Sequence, residues 1–151
     1  MKFNCQSIEY GFNRIKEKKC LIAIFTANTP RILGKLRIIT SFLFLQHGAA
    51  KLLGTPHIAM FDGLQLMSLM GLAGVLELVG GVLILLGLFT RPTAFILSGQ
   101  MAVAYFMAHA PSGFLPILNQ GELAVLYCFV FLYFSVAGAG AFSIDAMRKK
   151  T

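Results

Sequence analysis

LQLMSLMGLAGVLELVGGVLILLGLF, residues 64–89, is the stretch on which the fold turns, because it is the most apolar in the chain and holds one ionisable group, the carboxylate of Glu77. An α-helix rises ~1.5 Å per residue and needs ~20 residues to cross ~30 Å of hydrocarbon, so this run is long enough to span a bilayer. A carboxylate in hydrocarbon is costly and normally faces protein or a wet cavity. On a helical wheel at ~100° per residue, Ala73, Gly74, Gly80 and Gly81 fall within ~60° of Glu77. Small residues let helix backbones approach closely, so the Glu77 face is expected to meet another helix.

Working outward, three further apolar stretches of spanning length occupy residues 32–53, 93–110 and 121–142. The first carries Lys35 and Arg37, both in its opening turns, where long side chains can snorkel to the headgroups. The 151-residue chain is 57% hydrophobic, which leaves too little polar surface for a soluble domain of this size. The expected fold is therefore all-α, an integral membrane four-helix bundle. Residues 1–30 form a basic cytoplasmic segment before it, residues 31–145 the four-span domain, and residues 146–151 a basic tail.

The formal charge of +7 does not point to nucleic acid, because its distribution follows the spans. Eight of the thirteen Lys and Arg residues lie at or before position 37, three are Arg148, Lys149 and Lys150, and between Leu52 and Met147 only Arg91 is basic. Basic residues near span ends are retained in the cytoplasm. Placing both termini there puts the Arg91 turn on the same side, and the two outer loops, residues 54–63 and 111–120, hold no Lys or Arg. The expected location is the bacterial inner membrane, multi-pass, with the lipid bilayer as first partner. A secretory leader is the poorer reading of residues 1–27, because Phe25 is bulky for a cleavage site at Ala27 and cleavage would leave Arg31, Lys35 and Arg37 outside. Ile8, Phe12 and Ile15 instead make a stripe that can lie on the inner leaflet among lysines.

Counting ~1.5 Å per residue from each span's midpoint places Lys51, His109 and Glu122 in one layer roughly 12 Å outward. His47 lies deeper, and Glu77 and Gln100 lie near the centre. His47 and Lys51, four residues apart, share a helix face with Thr40. Lys51 is expected to offset Glu122, and Glu77 to be neutral or hydrogen-bonded, since unpaired burial costs several kcal/mol per ion. On an ideal helix Gln100 and His109 point in opposite directions, which makes Gln100 the weaker site candidate. Asp62 and Asp145 read as solvated surface charges, Asp145 with a local capping option. The segment 109–122 mixes helix breakers with Phe114, Leu115, Ile117 and Leu118 and is expected to fold back on the bundle mouth, with Asn119 capping the fourth span and Glu122 in its first turn.

Cys5, Cys20 and Cys128 form no CxxC pair, no metal-ligand set is visible, and Cys128 reads as a small buried hydrophobe. The polar-column candidates are thus His47, Lys51, Glu77, His109, Asn119 and Glu122, with Arg91 and Asp145 as topological or structural residues. Two roles fit these groups: binding a ligand, or fastening four helices by interhelical polar contacts.

Together, Phe44-Leu-Gln-His-Gly48 with Lys51, Gly74-Val-Leu-Glu-Leu-Val-Gly-Gly81, Gly87-Leu-Phe-Thr-Arg-Pro92, Ala104-Tyr-Phe-Met-Ala-His-Ala-Pro111, Asn119-Gln-Gly-Glu122 and Gly138-Ala-Gly140 with Ser143-Ile-Asp145 resemble the DoxX family of small four-span membrane proteins, within the wider DoxX-like and SURF4-like group. The resemblance covers residues 31–145. It implies an inner-membrane protein linked in some members to quinone-coupled sulfur oxidation and in others to oxidative-stress or thiol-handling complexes. It also implies that His47, Lys51, Glu77, Arg91, His109 and Glu122 occupy the family's characteristic polar positions, without a catalytic assignment.

Two functions follow as expectations. One is a redox-associated membrane subunit that holds a quinone or similar amphipathic molecule between helices, its polar head at His47, Lys51, His109 and Glu122, with electrons passing through a partner protein or the quinone itself, there being no haem, flavin or iron-sulfur motif. The other is a non-enzymatic carrier of a small molecule or lipid, or an assembly factor; a carrier with so small a bundle would need a second copy to make a path. No Ser/His/Asp or nucleotide-loop motif supports a soluble enzyme.

Overall fold

In the computed structural model the described residues are 5–148, with side chains described for 26–148. They form an all-helical bundle. Helix α1 runs unbroken from Cys5 to Leu53 through Pro30, α2 covers Leu69–Leu86, and α3 covers Thr90–Ala104. A π-helical turn, Tyr105–His109, and a 3₁₀ turn, Ala110–Ser112, extend α3. The short α4, Pro116–Asn119, leads into α5, Glu122–Ala137, and α6, Ile144–Arg148, closes the described chain. Backbone 5–30 thus continues α1; the Ile8, Phe12 and Ile15 stripe lies outside the residues whose side chains are described.

The central stretch is a shorter helix than its hydropathy suggested. Ser68 caps it, accepting from Gly71 N at 3.1 Å, and Gly87, at φ +65°, ends it with its N–H on Ile84 O at 3.0 Å. Even so, α2 is long and apolar enough to cross a membrane. Helix α3 begins after Phe89, which sits in the left-handed region at φ 49°. Its first two amides have a remote cap: Asp145 accepts from Phe89 N at 3.0 Å and Thr90 N at 2.9 Å. This corrects the surface-charge reading of Asp145, because orphan amides at a helix start attract a carboxylate from whichever segment can bring one. Burial works to raise the Asp145 pKa, but the Thr90 and Phe89 amides and the charge of Arg148 bring it below the usual carboxylate value.

Helix α1 packs on α2, α3 on α5, and α2 on α3. Phe44, Ile84, Leu97, Phe131 and Phe134 fill the centre, with Phe44 and Phe131 edge to face at 4.8 Å between ring centres. On α2 the faces are reversed relative to a soluble helix: Leu72, Leu76, Val79, Val82 and Leu86 are exposed, while Gly74, Glu77, Gly80 and Gly81 are buried. Such an exterior suits an apolar surrounding.

Arg37 departs most from expectation. Instead of snorkelling, it is fully buried. Its Nε donates to Ala139 O at 2.9 Å, its Nη1 to Ile84 O and, at 2.5 Å, to Leu85 O, and its Nη2 to Phe142 O at 2.8 Å. The carbonyls at a helix C-terminus have no intrahelical partners, and the guanidinium fork supplies five donors to them. Gly87 makes room, since a Cβ there would come within 3.0 Å of Arg37 Cζ.

Candidate functional site

The site begins with a close approach of two helices. A Cβ on Gly48 would lie 2.5 Å from Leu78 N, so at this level the α1 and α2 backbones touch. One turn further along α1, Lys51 packs its stem beside Gly74, and its Nζ reaches Glu77 Oε1 at 2.6 Å. The pair is sheltered, with side-chain exposures of 11% for Lys51 and 4% for Glu77. Gln100 comes in from α3: its Nε2 donates to Ala73 O at 3.1 Å and to the same Glu77 Oε1 at 3.3 Å. A third helix is thereby tied to the pair.

Lys51 therefore pairs with Glu77, not with Glu122 as its depth suggested. Depth along the axis is not distance across a bundle: Glu122 is exposed in the first turn of α5, where its charge faces the positive end of that helix. His47 is half-buried and makes no hydrogen bond among the described residues; its ring stands edge-on to Tyr127 at 6.3 Å. Tyr127 is buried and within electrostatic range of Glu77.

His109 belongs to a separate cluster. The π turn ends the regular phase of α3 before it, so Gln100 and His109 serve different places. His109 Nδ1 lies 3.0 Å from Asn119 O, its ring stacks on Tyr105 at 6.4 Å, and the Tyr105 hydroxyl donates to Phe114 O. Asn119 donates to Gly113 O at 2.6 Å and accepts from Gly121 N at 2.8 Å. That amide belongs to Gly121, the N-cap residue of α5, which has no side-chain cap, so Asn119 ties the turn between α4 and α5 and does not cap the fourth span as expected. These bonds fold 109–122 onto itself across the bundle end.

The first cluster is incompletely satisfied. Glu77 Oε2 and Gln100 Oε1 are buried without a hydrogen-bond donor. An orphaned buried acceptor costs ~1–3 kcal/mol, and an ion pair in low dielectric repays its desolvation only when its remaining lone pairs are served. Two such acceptors beside a lysine can accept hydrogen bonds from the hydroxyl or amine of a bound molecule. Lys51, but neither Glu77 nor Gln100, also lines a cleft of about 260 Å³ formed with the loop that carries His57 and Asp62. Among the described residues no group of His, Cys, Asp and Glu could hold a metal ion, and Cys128 is partly buried with its carbonyl accepting from Ser98 Oγ at 2.8 Å.

Depth and helix face, read from the sequence, single out Glu77 and Lys51 but misassign the partner of Lys51, undervalue Gln100, send Arg37 to the headgroups and leave Tyr127 unmarked. The central depth of Gln100 was a usable signal. For Arg37 there was none, because its acceptors are backbone carbonyls that any sequence possesses.

An apolar exterior around buried charges and close glycine contacts marks a small helical bundle made for an apolar solvent. The profile of the DoxX family matches residues 33–110, more than half of the chain, and the chain belongs to this family of small membrane proteins. It is 50% identical over 121 residues to an uncharacterized protein of Haemophilus influenzae, covering 77% of this chain and 90% of that one. It is 31% identical over 123 residues to the inner membrane protein YqjF of Escherichia coli, covering 76% of this chain and 89% of that one. No solved structure matches it.

Proposed function

We propose that the chain is a multi-pass protein of the bacterial inner membrane, with both termini in the cytoplasm, that holds the polar head of a quinone-like amphipathic molecule at Lys51, Glu77 and Gln100. It would act as a redox-associated subunit that works with a partner protein. The spans are α1 from about residue 32, α2, α3 with its π turn, and α5. Residues 1–30 and 146–151 flank this domain on the cytoplasmic side. The distribution of Lys and Arg supports the orientation, and the likeness to the inner membrane protein YqjF of Escherichia coli supports the compartment.

The pair of donorless acceptors, Glu77 Oε2 and Gln100 Oε1, carries the choice of ligand. A reduced quinone offers two hydroxyl donors on a flat apolar ring, and Lys51 offers a donor to the carbonyl of the oxidised form. A bundle interior can shelter such a ring while its tail remains in lipid.

The test is mass spectrometry of small molecules retained by the protein after gentle extraction, comparing the natural chain with Glu77→Gln. Retention of a quinone that falls at least ~10-fold in the variant supports the reading, the loss of one charged hydrogen bond being worth ~1.5–3 kcal/mol. Empty protein, with solute movement into liposomes that needs no redox partner, would favour a carrier instead.

A further inference from the structure

At the opposite end of the bundle from Lys51 lies a larger cleft of about 430 Å³, enclosed by the start of α3, the glycine turn after α5 and helix α6. Two arginines line it, Arg91 and Arg148, against one carboxylate, Asp145, a net charge of +1 on these side chains. Asp145 is already committed to two backbone amides. Neither arginine makes a hydrogen bond or ion pair among the described residues, although Arg148 lies over the Phe89 ring at 5.5 Å. The guanidinium of Arg91 lies beside Gly138, where a Cβ would meet Nε at 3.4 Å. Lys149 and Lys150 follow directly in sequence.

This arrangement differs in kind from the Arg37 clamp at the same end. Arg37 spends its donors on four carbonyls of its own chain, whereas Arg91 and Arg148 are exposed, make no such bonds among the described residues and line one cleft. Guanidinium forks match phosphate oxygens bidentately, and a basic pocket at the cytoplasmic ends of membrane helices is suited to an anionic headgroup.

We propose that the Arg91–Arg148 cleft is a phosphate-recognising site for the headgroup of an anionic phospholipid of the inner leaflet. This rests on the membrane orientation proposed above, which puts the junction of α2 and α3 at headgroup depth. The quinone-like ligand plays no part in it.

The full-length chain would be reconstituted into phosphatidylcholine vesicles containing a minor fraction of phosphatidylglycerol or cardiolipin, and the lipid carried through detergent exchange would be quantified by native mass spectrometry. Enrichment of anionic over zwitterionic lipid that drops ~10-fold in R91Q/R148Q, and by a smaller factor in R148Q alone, is the expected result. Circular dichroism of each variant establishes that it is folded. Equal enrichment in R91Q/R148Q would overturn the site, as would displacement of the lipid by millimolar inorganic phosphate at the same affinity, which would make it a pocket for a soluble anion. Resistance of the vesicle-bound protein to carbonate extraction, with protease access to its termini, reports the orientation separately. Correct insertion without anionic enrichment defeats the site alone, whereas failed or inverted insertion defeats the orientation and the site with it.

Discussion

The polar clusters around Arg37 and around Glu77 are both buried and are finished differently. Around Arg37, a guanidinium meets four backbone carbonyls from the ends of α2 and the segment after α5. Close by, Asp145 takes up two amides of α3, and the Thr90 hydroxyl lies against the same carboxylate without a hydrogen bond of good geometry. Around Glu77, one carboxylate oxygen receives both Lys51 and Gln100 while the other receives nothing, and Gln100 keeps its own oxygen unpaired. Arg37 and Asp145, the charges of this clamp at the first end, are both spent on holding helix termini together. The second end leaves acceptors over, which is poor construction for a fastening and good construction for binding.

That contrast predicts different consequences of mutation. Arg37→Ala is expected to be the most damaging substitution: it strips donors from four carbonyls and opens a hole in the interior, for a loss of at least ~4 kcal/mol in a denaturant titration in detergent. Arg37→Lys should rescue little, because one ammonium cannot reproduce the fork. A mild Arg37→Ala would dissolve the distinction between the clusters. Lys51→Met should cost ~3–5 kcal/mol by leaving a buried carboxylate unpaired, and adding Glu77→Leu should restore much of it, as replacing both buried ions often does. If the double variant stays as unstable as the single, Glu77 bears structural weight beyond its pairing.

Gly48→Ala tests the backbone contact that brings Lys51 to Glu77. The added methyl group would force α1 and α2 apart, for ~1–3 kcal/mol by the same titration. The smallest effect should come from Asp145→Asn, at ~1 kcal/mol for a weakened cap. Its pH signature is specific. With the native pKa depressed, the contribution of Asp145 is complete above the unfolded-chain value of about 3.9 and disappears as pH falls through the native value. Asp145→Asn should therefore flatten the acid side of the stability profile and leave its neutral side with the same slope.

The same contrast explains how much could be read from the sequence. Glu77 was visible because hydropathy isolates a carboxylate and helical periodicity places Gly74, Gly80 and Gly81 on its face. The ends of α2 were misplaced because hydropathy ignores a Ser68 cap and a Gly87 stop. Lys51 was assigned the wrong partner because a one-dimensional depth scale cannot tell the α2 side of α1 from the α5 side. Gln100 and His109 do serve different places, and Gln100 is undervalued because the outer layer of His109 is preferred as the site, whereas Gln100 joins Glu77. The Arg37 clamp and the Asp145 cap join side chains to backbone groups distant in sequence, so only the folded chain displays them.

The central claim is that the Glu77 end binds and the Arg37 end holds, and Glu77→Gln addresses it most directly because it keeps the shape and removes the charge. Folding stability and quinone retention would be measured on the same purified sample. A folded variant, with a stability loss no greater than the ~3–5 kcal/mol of breaking the Lys51 pair, together with loss of the retained quinone is the predicted result. Unfolding without any retained molecule in the natural chain would contradict it, and would make the Lys51–Glu77–Gln100 cluster a second fastening.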